Sequence, residues 1–274
     1  MGKVMVININ ECTGCYNCVI ACKDEHVDND WLPWTKAQPP MGHFWIKVLS
    51  IERGSQPFVK VTYIPIMCQH CDNAPCIKVC PVNAIKRRED GLVWIDQNTC
   101  TGCGLCINAC PYGAIYINDK LKVAQKCTWC AHLIDRGQNP RCVDACPHDA
   151  IIFGDENDPR IKELLTKAEV YHPEYQTRPR VYYIGLPKPF IAGTTIDPDS
   201  NEVVIGARVL IKDLYTDEEY ETFTDEFGNF MIKDLKWDHK YEVIISKDGF
   251  EKRVLIVTTV SDVVLKEVRI KRVK

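Results

Sequence analysis

Residues 12 to 26 read CTGCYNCVIACKDEH, with cysteines at 12, 15, 18 and 22 and Lys23 directly after the fourth. Four thiols this dense serve either disulfides or a metal. The chain has 274 residues and sixteen cysteines, and none of them lies beyond Cys146. The opening stretch, MGKVMVININEC, has no apolar h-region, no twin arginine and no cleavage site, so a cytoplasmic location is expected. In a thiol-reducing cytosol, cysteines in such number point to metal binding rather than to disulfides.

The sixteen divide into four quartets with none left over: Cys12, Cys15, Cys18 and Cys22; Cys68, Cys71, Cys76 and Cys80; Cys100, Cys103, Cys106 and Cys110; Cys127, Cys130, Cys142 and Cys146. The first and third have the spacing of bacterial ferredoxins, and the others are variants with one stretched gap. Three thiolates at two-residue intervals wrap one corner of a 4Fe-4S cubane. The fourth iron is met from elsewhere, which is why the last cysteine of such a run ligates the other cluster of a pair. Structural zinc sites also use Cys-x2-Cys pairs, but they draw two plus two ligands from separate knuckles, and four repeated quartets fit that poorly. Ligand count gives four cubanes, with three as the fallback if one site is empty.

A longer repeat surrounds the cysteines. Cys80-Pro81-Val82-Asn83-Ala84-Ile85, Cys110-Pro111-Tyr112-Gly113-Ala114-Ile115 and Cys146-Pro147-His148-Asp149-Ala150-Ile151 share the pattern Cys-Pro-x-x-Ala-Ile. After the first comes KRREDGLVWID, two strand-like runs around Asp90-Gly91. After the second comes YINDKLKV, with Asn118-Asp119 at the turn. Each unit reads as a cluster loop, a short helix carrying the last cysteine, and a strand or hairpin, and its duplication builds a ferredoxin-type module.

Four stretches carry a wider resemblance: IMCQHCDNAPCIKVCP, CTGCGLCINACPYGAI, KCTWCAHLIDRGQNPRCVDACP and the exit segment FGDENDPRIKELL with TRPRVYYI. Over residues 4 to 186 the chain resembles the four-cluster iron-sulfur subunits of the molybdopterin oxidoreductases of the dimethyl sulfoxide reductase type. The resemblance implies that ligands are exchanged between quartets. Cys12, Cys15 and Cys18 would share a cluster with Cys146, and Cys127, Cys130 and Cys142 one with Cys22. Cys68, Cys71 and Cys76 would take Cys110, and Cys100, Cys103 and Cys106 would take Cys80. It also implies a large catalytic partner subunit, in a heterodimer or higher assembly, with molybdenum bis-pterin guanine dinucleotide in that partner only. This chain would be a noncatalytic electron relay.

The expected fold class is α+β, with tandem ferredoxin-like modules and a C-terminal β-sandwich. Residues 1–154 form the cluster region: one module from 1–26 with about 118–154, an insertion over 27–66, and a second module over about 67–117. Residues 155–190 are a wrap-around segment in which Asp158-Pro159 starts a helix. Residues 191–274 are the sandwich, whose strand-like segments include Ala207, Val209 and Ile211, then Tyr241, Val243 and Ile245. The pattern from Gly206 to Phe250 resembles prealbumin-like or Cna-B-like accessory modules. Together with the cluster region this narrows the resemblance to transhydroxylase-type members of the family.

Only the first quartet lacks its proline. Proline stops a helix and restricts the residue before it, so after Cys22 the helix is expected to run on through Lys23 towards His26. Lys23 is then a candidate for tuning the cluster beside it, or simply a solvated side chain. In the insertion, Trp31, Trp34 and Trp45 suit a docking patch or a cover over a cluster equally well, and a hairpin is expected around Arg53-Gly54-Ser55. Lys86, Arg87 and Arg88 read as a hairpin face more readily than as a donor docking site. His26, His43, His70, His132, His148 and His172 read as packing or hydrogen-bonding residues.

Net charge is −3, so nothing argues for nucleic acid. No apolar run reaches membrane-spanning length, so no membrane segment is expected. A diffusible polyferredoxin and the iron-sulfur subunit of a related reductase or dehydrogenase, acting on a sulfur compound or formate, are the alternative readings.

Overall fold

The computed structural model describes residues 2–273. The chain divides into two compact units, one of residues 1–51 and 62–186, the other of residues 52–61 and 187–274.

In the first unit β1 (Lys3–Asn8) leads into α1 (Asn17–His26), and an irregular stretch follows to the hairpin β2 (Lys47–Ser55) and β3 (Phe58–Ile66), whose tip, residues 52–61, belongs to the second unit. Next come α2 (Pro75–Lys78), the hairpin β4 (Ile85–Arg87) and β5 (Val93–Ile95), α3 (Leu105–Ala109), and the hairpin β6 (Tyr116–Asn118) and β7 (Val123–Gln125). The unit closes with α4 (Ala131–Ile134), α5 (Arg141–Asp144), β8 (Ile151–Asp155), α6 (Pro159–Leu165), β9 (Glu169–Val170) and β10 (Val181–Ile184). The repeat of helix followed by hairpin is the one read from the Cys-Pro-x-x-Ala-Ile pattern, but α2, α3 and α5 carry the third cysteine of their quartets, Cys76, Cys106 and Cys142, and end before the last, because the Cys-Pro step cannot continue a helix. The Asp158 side chain caps α6 by accepting from the Arg160 amide at 2.8 Å.

A four-stranded sheet in the order β8-β1-β10-β9 ties the beginning of this unit to its end. β1 runs parallel to β10 and antiparallel to β8. Its apolar run KVMVIN suits a strand covered on both faces, and Met5, Val6 and Ile7 are fully buried. The segment after residue 155 therefore returns through the sheet: Val181 and Tyr183 on β10 are as buried as their neighbours on β1. Tyr183 Oη donates to the Pro65 carbonyl at 3.1 Å and accepts from Gln69 Nε2 at 3.2 Å.

The second unit holds β11 (Ile191–Ile196), β12 (Arg208–Asp213), β13 (Glu219–Phe223), β14 (Asn229–Ile232), β15 (Lys240–Ser246), β16 (Arg253–Thr258) and β17 (Val263–Arg269). They form two sheets, β14-β11-β17 and β13-β12-β15-β16. Alternating residues enter one shared core: Val209 and Ile211 from β12, Tyr241, Val243 and Ile245 from β15, Phe230 and Ile232 from β14, and Val268 from β17. This is the sandwich the alternation announces. At the Asp225–Asn229 turn, Asp225 Oδ1 accepts from the Phe227 and Asn229 amides at 2.9 and 2.8 Å.

The hairpin of β2 and β3 turns later than its sequence suggests. Arg53, Gly54 and Ser55 are still in the strand, and the chain reverses at Gln56-Pro57. Two interactions explain why the strand continues: Arg53 pairs with Asp262 at 3.1 Å and donates to the Lys188 carbonyl at 3.0 Å, while Phe58 packs with Phe190 and Ala192.

Ile211 has no exposed surface, so Ile211→Ala should cost about 2–5 kcal/mol through lost burial and a residual cavity. Denaturant unfolding followed by hydrogen exchange of the β12 and β15 amides should show this as a lower midpoint. An unchanged midpoint would mean that the two sheets do not share one cooperative core.

Candidate metal centre

The structure gathers the sixteen thiols into four sets, each drawing three cysteines from one loop and one from another. Cys12, Cys15, Cys18 and Cys146 line one small, partly open cavity. Its loop has Gly14 at φ +69°, where an added Cβ would lie 2.5 Å from the Tyr63 ring, so only glycine fits. Burial pushes the Cys18 thiol up to about 12, and the charges of Cys12, Cys146 and Cys15 add to this. The Ala150 amide donates to Cys146 Sγ at 3.3 Å.

In the second set Cys22 and Cys142 are buried with Cys127 and Cys130. The Cys22 thiol is pushed well up, first by burial and then by Cys130, Cys127 and Cys142. The Trp129 amide donates to Cys127 Sγ at 3.4 Å. The third set is Cys68, Cys71, Cys76 and Cys110. Burial and then the charges of Cys68, Cys110 and Cys71 raise Cys76 to about 12, although Lys126 opposes the rise.

Cys80, Cys100, Cys103 and Cys106 line a second small, partly open cavity. Burial raises Cys106 to about 11, assisted by Cys100, Cys103 and Cys80. Here the Ala84 amide donates to Cys80 Sγ at 3.3 Å, and the Gly102 and Ala124 amides donate to Cys100 Sγ at 3.5 and 3.4 Å.

Each set thus contains thiols whose ionisation is opposed by burial and by their neighbours, Cys18, Cys22, Cys76 and Cys106 among them. A centre supplying positive charge reverses that penalty and deprotonates the thiols outright. All-thiolate donors with main-chain N–H groups aimed at the sulfurs suit an iron-sulfur cluster, because both features stabilise and tune it. The four sets fit the group.

The sets also form a row. Cys18 and Cys22 share α1, and Cys18 adds to the rise of both Cys22 and Cys142. Among thiol charges, Cys68 of the third set is the one that weighs on Cys127 of the second. Cys76 on α2 and Cys106 on α3 lie in one apolar cluster, joining the third set to the fourth. Exposed thiols stand at both ends of this row, Cys15 and Cys103.

The insertion covers the second set. Trp31 stacks on His132 with centroids 4.0 Å apart, and Trp45 lies 4.6 Å from the His26 ring. Glu25 holds His132 Nε2 at 2.9 Å and Arg141 Nε at 3.1 Å. His26 Nε2 is 3.7 Å from Cys130 Sγ, and burial, with His132 nearby, pushes the His26 pKa down to about 3. Trp34 meets Trp94 edge to face, with the Arg88 guanidinium 4.8 Å from its ring. The tryptophans therefore serve as cover. Lys86, Arg87 and Arg88 are paired with Asp96, with Asp72, and with Asp90 and Asp135. Of the other histidines, His43 stacks on Tyr116, His70 accepts from the Val93 amide at 3.1 Å, and His172 pairs with Glu174. His148 lies in the lining of the first cavity.

Lys23 is not free in solvent. Its Nζ donates to Gln38 Oε1 at 3.1 Å, to the Pro39 carbonyl at 2.8 Å and to the Gly42 carbonyl at 2.7 Å. Burial lowers its pKa, and the Cys22 thiolate acts in the opposite sense. A residue that the cysteine pattern does not single out is Lys126, which is fully buried beside Cys127. A lysine directly preceding a ligand in KCTWC is the one signal of it in the sequence.

Residues 11–84 and 59–156 match two families described as 4Fe-4S dicluster domains, and residues 191–271 match the carboxypeptidase regulatory-like domain. A tetrathionate reductase subunit of Salmonella typhimurium is 38% identical over 68% of this chain and 74% of the relative. The pyrogallol hydroxytransferase small subunit of Pelobacter acidigallici is 37% identical over 89% of this chain and 90% of its own length. The chain belongs to the iron-sulfur subunits of the molybdoenzymes. A sulfite dehydrogenase subunit of Allochromatium vinosum is a further relative, 36% identical over 85% of this chain and 98% of its own length. As a member of this family the chain binds 4Fe-4S clusters and serves electron transport in an oxidoreductase. Among the described residues no helix is long and apolar enough to cross a membrane.

Lys23 gives a direct test of how the cover is fastened. Hydrogen bonds from a charged donor contribute about 1.5–3 kcal/mol each, so Lys23→Met should free the stretch that holds Gln38, Pro39 and Gly42. Limited proteolysis should then cut residues 38–44 several-fold faster than in the parent protein. An unchanged rate would show that the Gln38 amide bond to the His26 carbonyl and the packing of His43 and Trp45 fasten this stretch without Lys23.

Proposed function

We propose that the chain relays electrons along four 4Fe-4S clusters as the small subunit of a heteromeric molybdenum enzyme, and that this enzyme is a transhydroxylase converting pyrogallol to phloroglucinol. The ligand sets are Cys12, Cys15, Cys18 and Cys146; Cys22, Cys127, Cys130 and Cys142; Cys68, Cys71, Cys76 and Cys110; and Cys80, Cys100, Cys103 and Cys106. The single observation carrying the relay is the row of four all-cysteine sets with exposed thiols at both ends. The substrate assignment is supported by the 37% identity to the pyrogallol hydroxytransferase small subunit across 89% of this chain, a span that must enter the sandwich as well as the cluster region.

When bound, the clusters supply one-electron redox chemistry, and every other function falls to the chain. The cysteine loops fix the spacing between neighbouring sets. Main-chain amides donate to the sulfurs, which favours the reduced, more negative state. His26, Trp31, Trp45 and His132 keep water from the second set. Molybdenum bis-pterin guanine dinucleotide and the phenolic substrate are assigned to the large partner subunit, and this chain carries no catalytic residue of its own in this reading.

A second reading has its own support. The sulfite dehydrogenase relative covers nearly as much of the chain, so the partner subunit could act on a sulfur oxyanion. Anaerobic purification of the assembled complex decides between them. Conversion of pyrogallol to phloroglucinol is expected; tetrathionate- or sulfite-dependent electron transfer without it selects the second reading.

The ligand sets have a separate test. Iron and sulfide analysis should give four clusters, sixteen irons per chain, and zinc in their place would overturn the relay. Cys22→Ser and Cys127→Ser should alter one common electron paramagnetic resonance signal, because serine offers a harder oxygen ligand. Cys12→Ser and Cys146→Ser should alter another. If Cys22→Ser and Cys12→Ser change the same signal, the first quartet closes its own cluster and the exchange of ligands is wrong.

A further inference from the structure

Lys126 is among the largest fully buried side chains of the protein. A buried ammonium is ordinarily paired with a carboxylate, because an uncompensated charge in a low-dielectric interior is costly. Lys126 has no such partner among the described residues. Its Nζ donates to the main-chain carbonyls of Val93 and, at 3.1 Å, of Cys127. Two carbonyl dipoles orient the amine without neutralising it.

Its two carbonyl partners place it against both central sets: Cys127 belongs to the second, and Val93 packs in one apolar cluster with Cys71 and Cys76 of the third. Lys126 favours ionisation of Cys127 in the second set and of Cys76 and Cys110 in the third. It is not among the leading influences on Cys12 or Cys18 of the first set, or on Cys106 of the fourth. The other cations near the central sets are already engaged: Arg87 with Asp72, and Arg141 with Glu25. Lys23 donates to three oxygens of the insertion and adjoins Cys22 alone.

We propose that Lys126 is the shared counter-charge of the two central clusters, a positioning residue that holds both at higher reduction potential than the same ligands would give without it. The inference rests on the ligand sets assigned above. Adding an electron makes a cluster more negative, and a fixed cation nearby favours that state. Lying against two sets, one cation acts on both clusters.

The test is a potentiometric titration of the intact holo complex, with electron paramagnetic resonance resolving the clusters. In Lys126→Met, which keeps the length and removes the charge, the reduction equilibria of the two central clusters should each shift at least tenfold towards the oxidised state. For a one-electron couple that is about 59 mV. The two outer clusters should not move, and Lys126→Arg should restore the parent potentials. Lys23→Met is the control and should move the Cys22 cluster alone. Unchanged central potentials, a shift in only one of them, or an equal shift in all four overturns the inference.

If Lys126→Met loses iron, Lys126→Gln repeats the comparison with a donor retained. Iron loss in the Met, Gln and Arg variants alike overturns it too, since a role in charge would spare the arginine. Failure of the ligand reading is recognised separately, in the parent protein, as fewer than four clusters or as cysteine variants that alter the wrong signals.

Discussion

The fold of the first unit depends on holding together thiols that the chain keeps far apart. Cys12 meets Cys146, and Cys22 meets Cys127, Cys130 and Cys142, although over a hundred residues separate them. Without a metal the thiols stay protonated, because burial and mutual repulsion both oppose the thiolates. A cluster bound by these sets ties the two ends of the unit together, so its loading is linked to folding. The sheet β8-β1-β10-β9 makes the same connection by other means: it pairs the first strand with two of the last and fixes the ends of the cysteine loops.

The absent proline after Cys22 acquires a physical role in this setting. In the other three quartets the helix stops before the last cysteine, at Lys78, Ala109 or Asp144, and the Cys-Pro step turns the chain out into Ala-Ile. α1 instead continues to His26. The extra turn carries Lys23, Glu25 and His26, and all three are used: Lys23 fastens the insertion, Glu25 holds His132 and Arg141, and His26 stands against Cys130. A proline at residue 23 would remove these contacts together. A strand after Cys22 has been exchanged for a cover over the second set.

Much of this is legible from the chain alone, and the exceptions share a cause. Quartets, hairpins, the continuation of α1 and the alternation of the sandwich are local patterns, and local patterns survive in a sequence. The pairing of β1 with β10 is a contact between residues over 170 positions apart, and a strand covered on both faces has no alternation to betray it. The turn of the β2–β3 hairpin reads too early because Arg53-Gly54-Ser55 has turn chemistry, whereas Asp262 and Phe190, which keep the strand going, are remote in sequence. The tryptophans are ambiguous for the same reason, since aromatic residues suit a core and an interface equally until their neighbours are known.

Lys126 illustrates a subtler limit. A lysine beside a cysteine looks like surface charge, and only its burial and the lack of a carboxylate make it informative. Exposed cations are screened by water and salt, so Lys86 and Arg87, each with an acidic neighbour, contribute little to the potential deep in the row. A buried and unpaired cation is different, because its field is weakly screened and falls on whatever negative charge lies nearest. In this chain that charge is the thiolates of two neighbouring sets, and these same thiolates are the compensation that allows an ammonium to stay buried. The lysine and the central cysteines therefore stabilise one another, and each makes the other's burial tolerable.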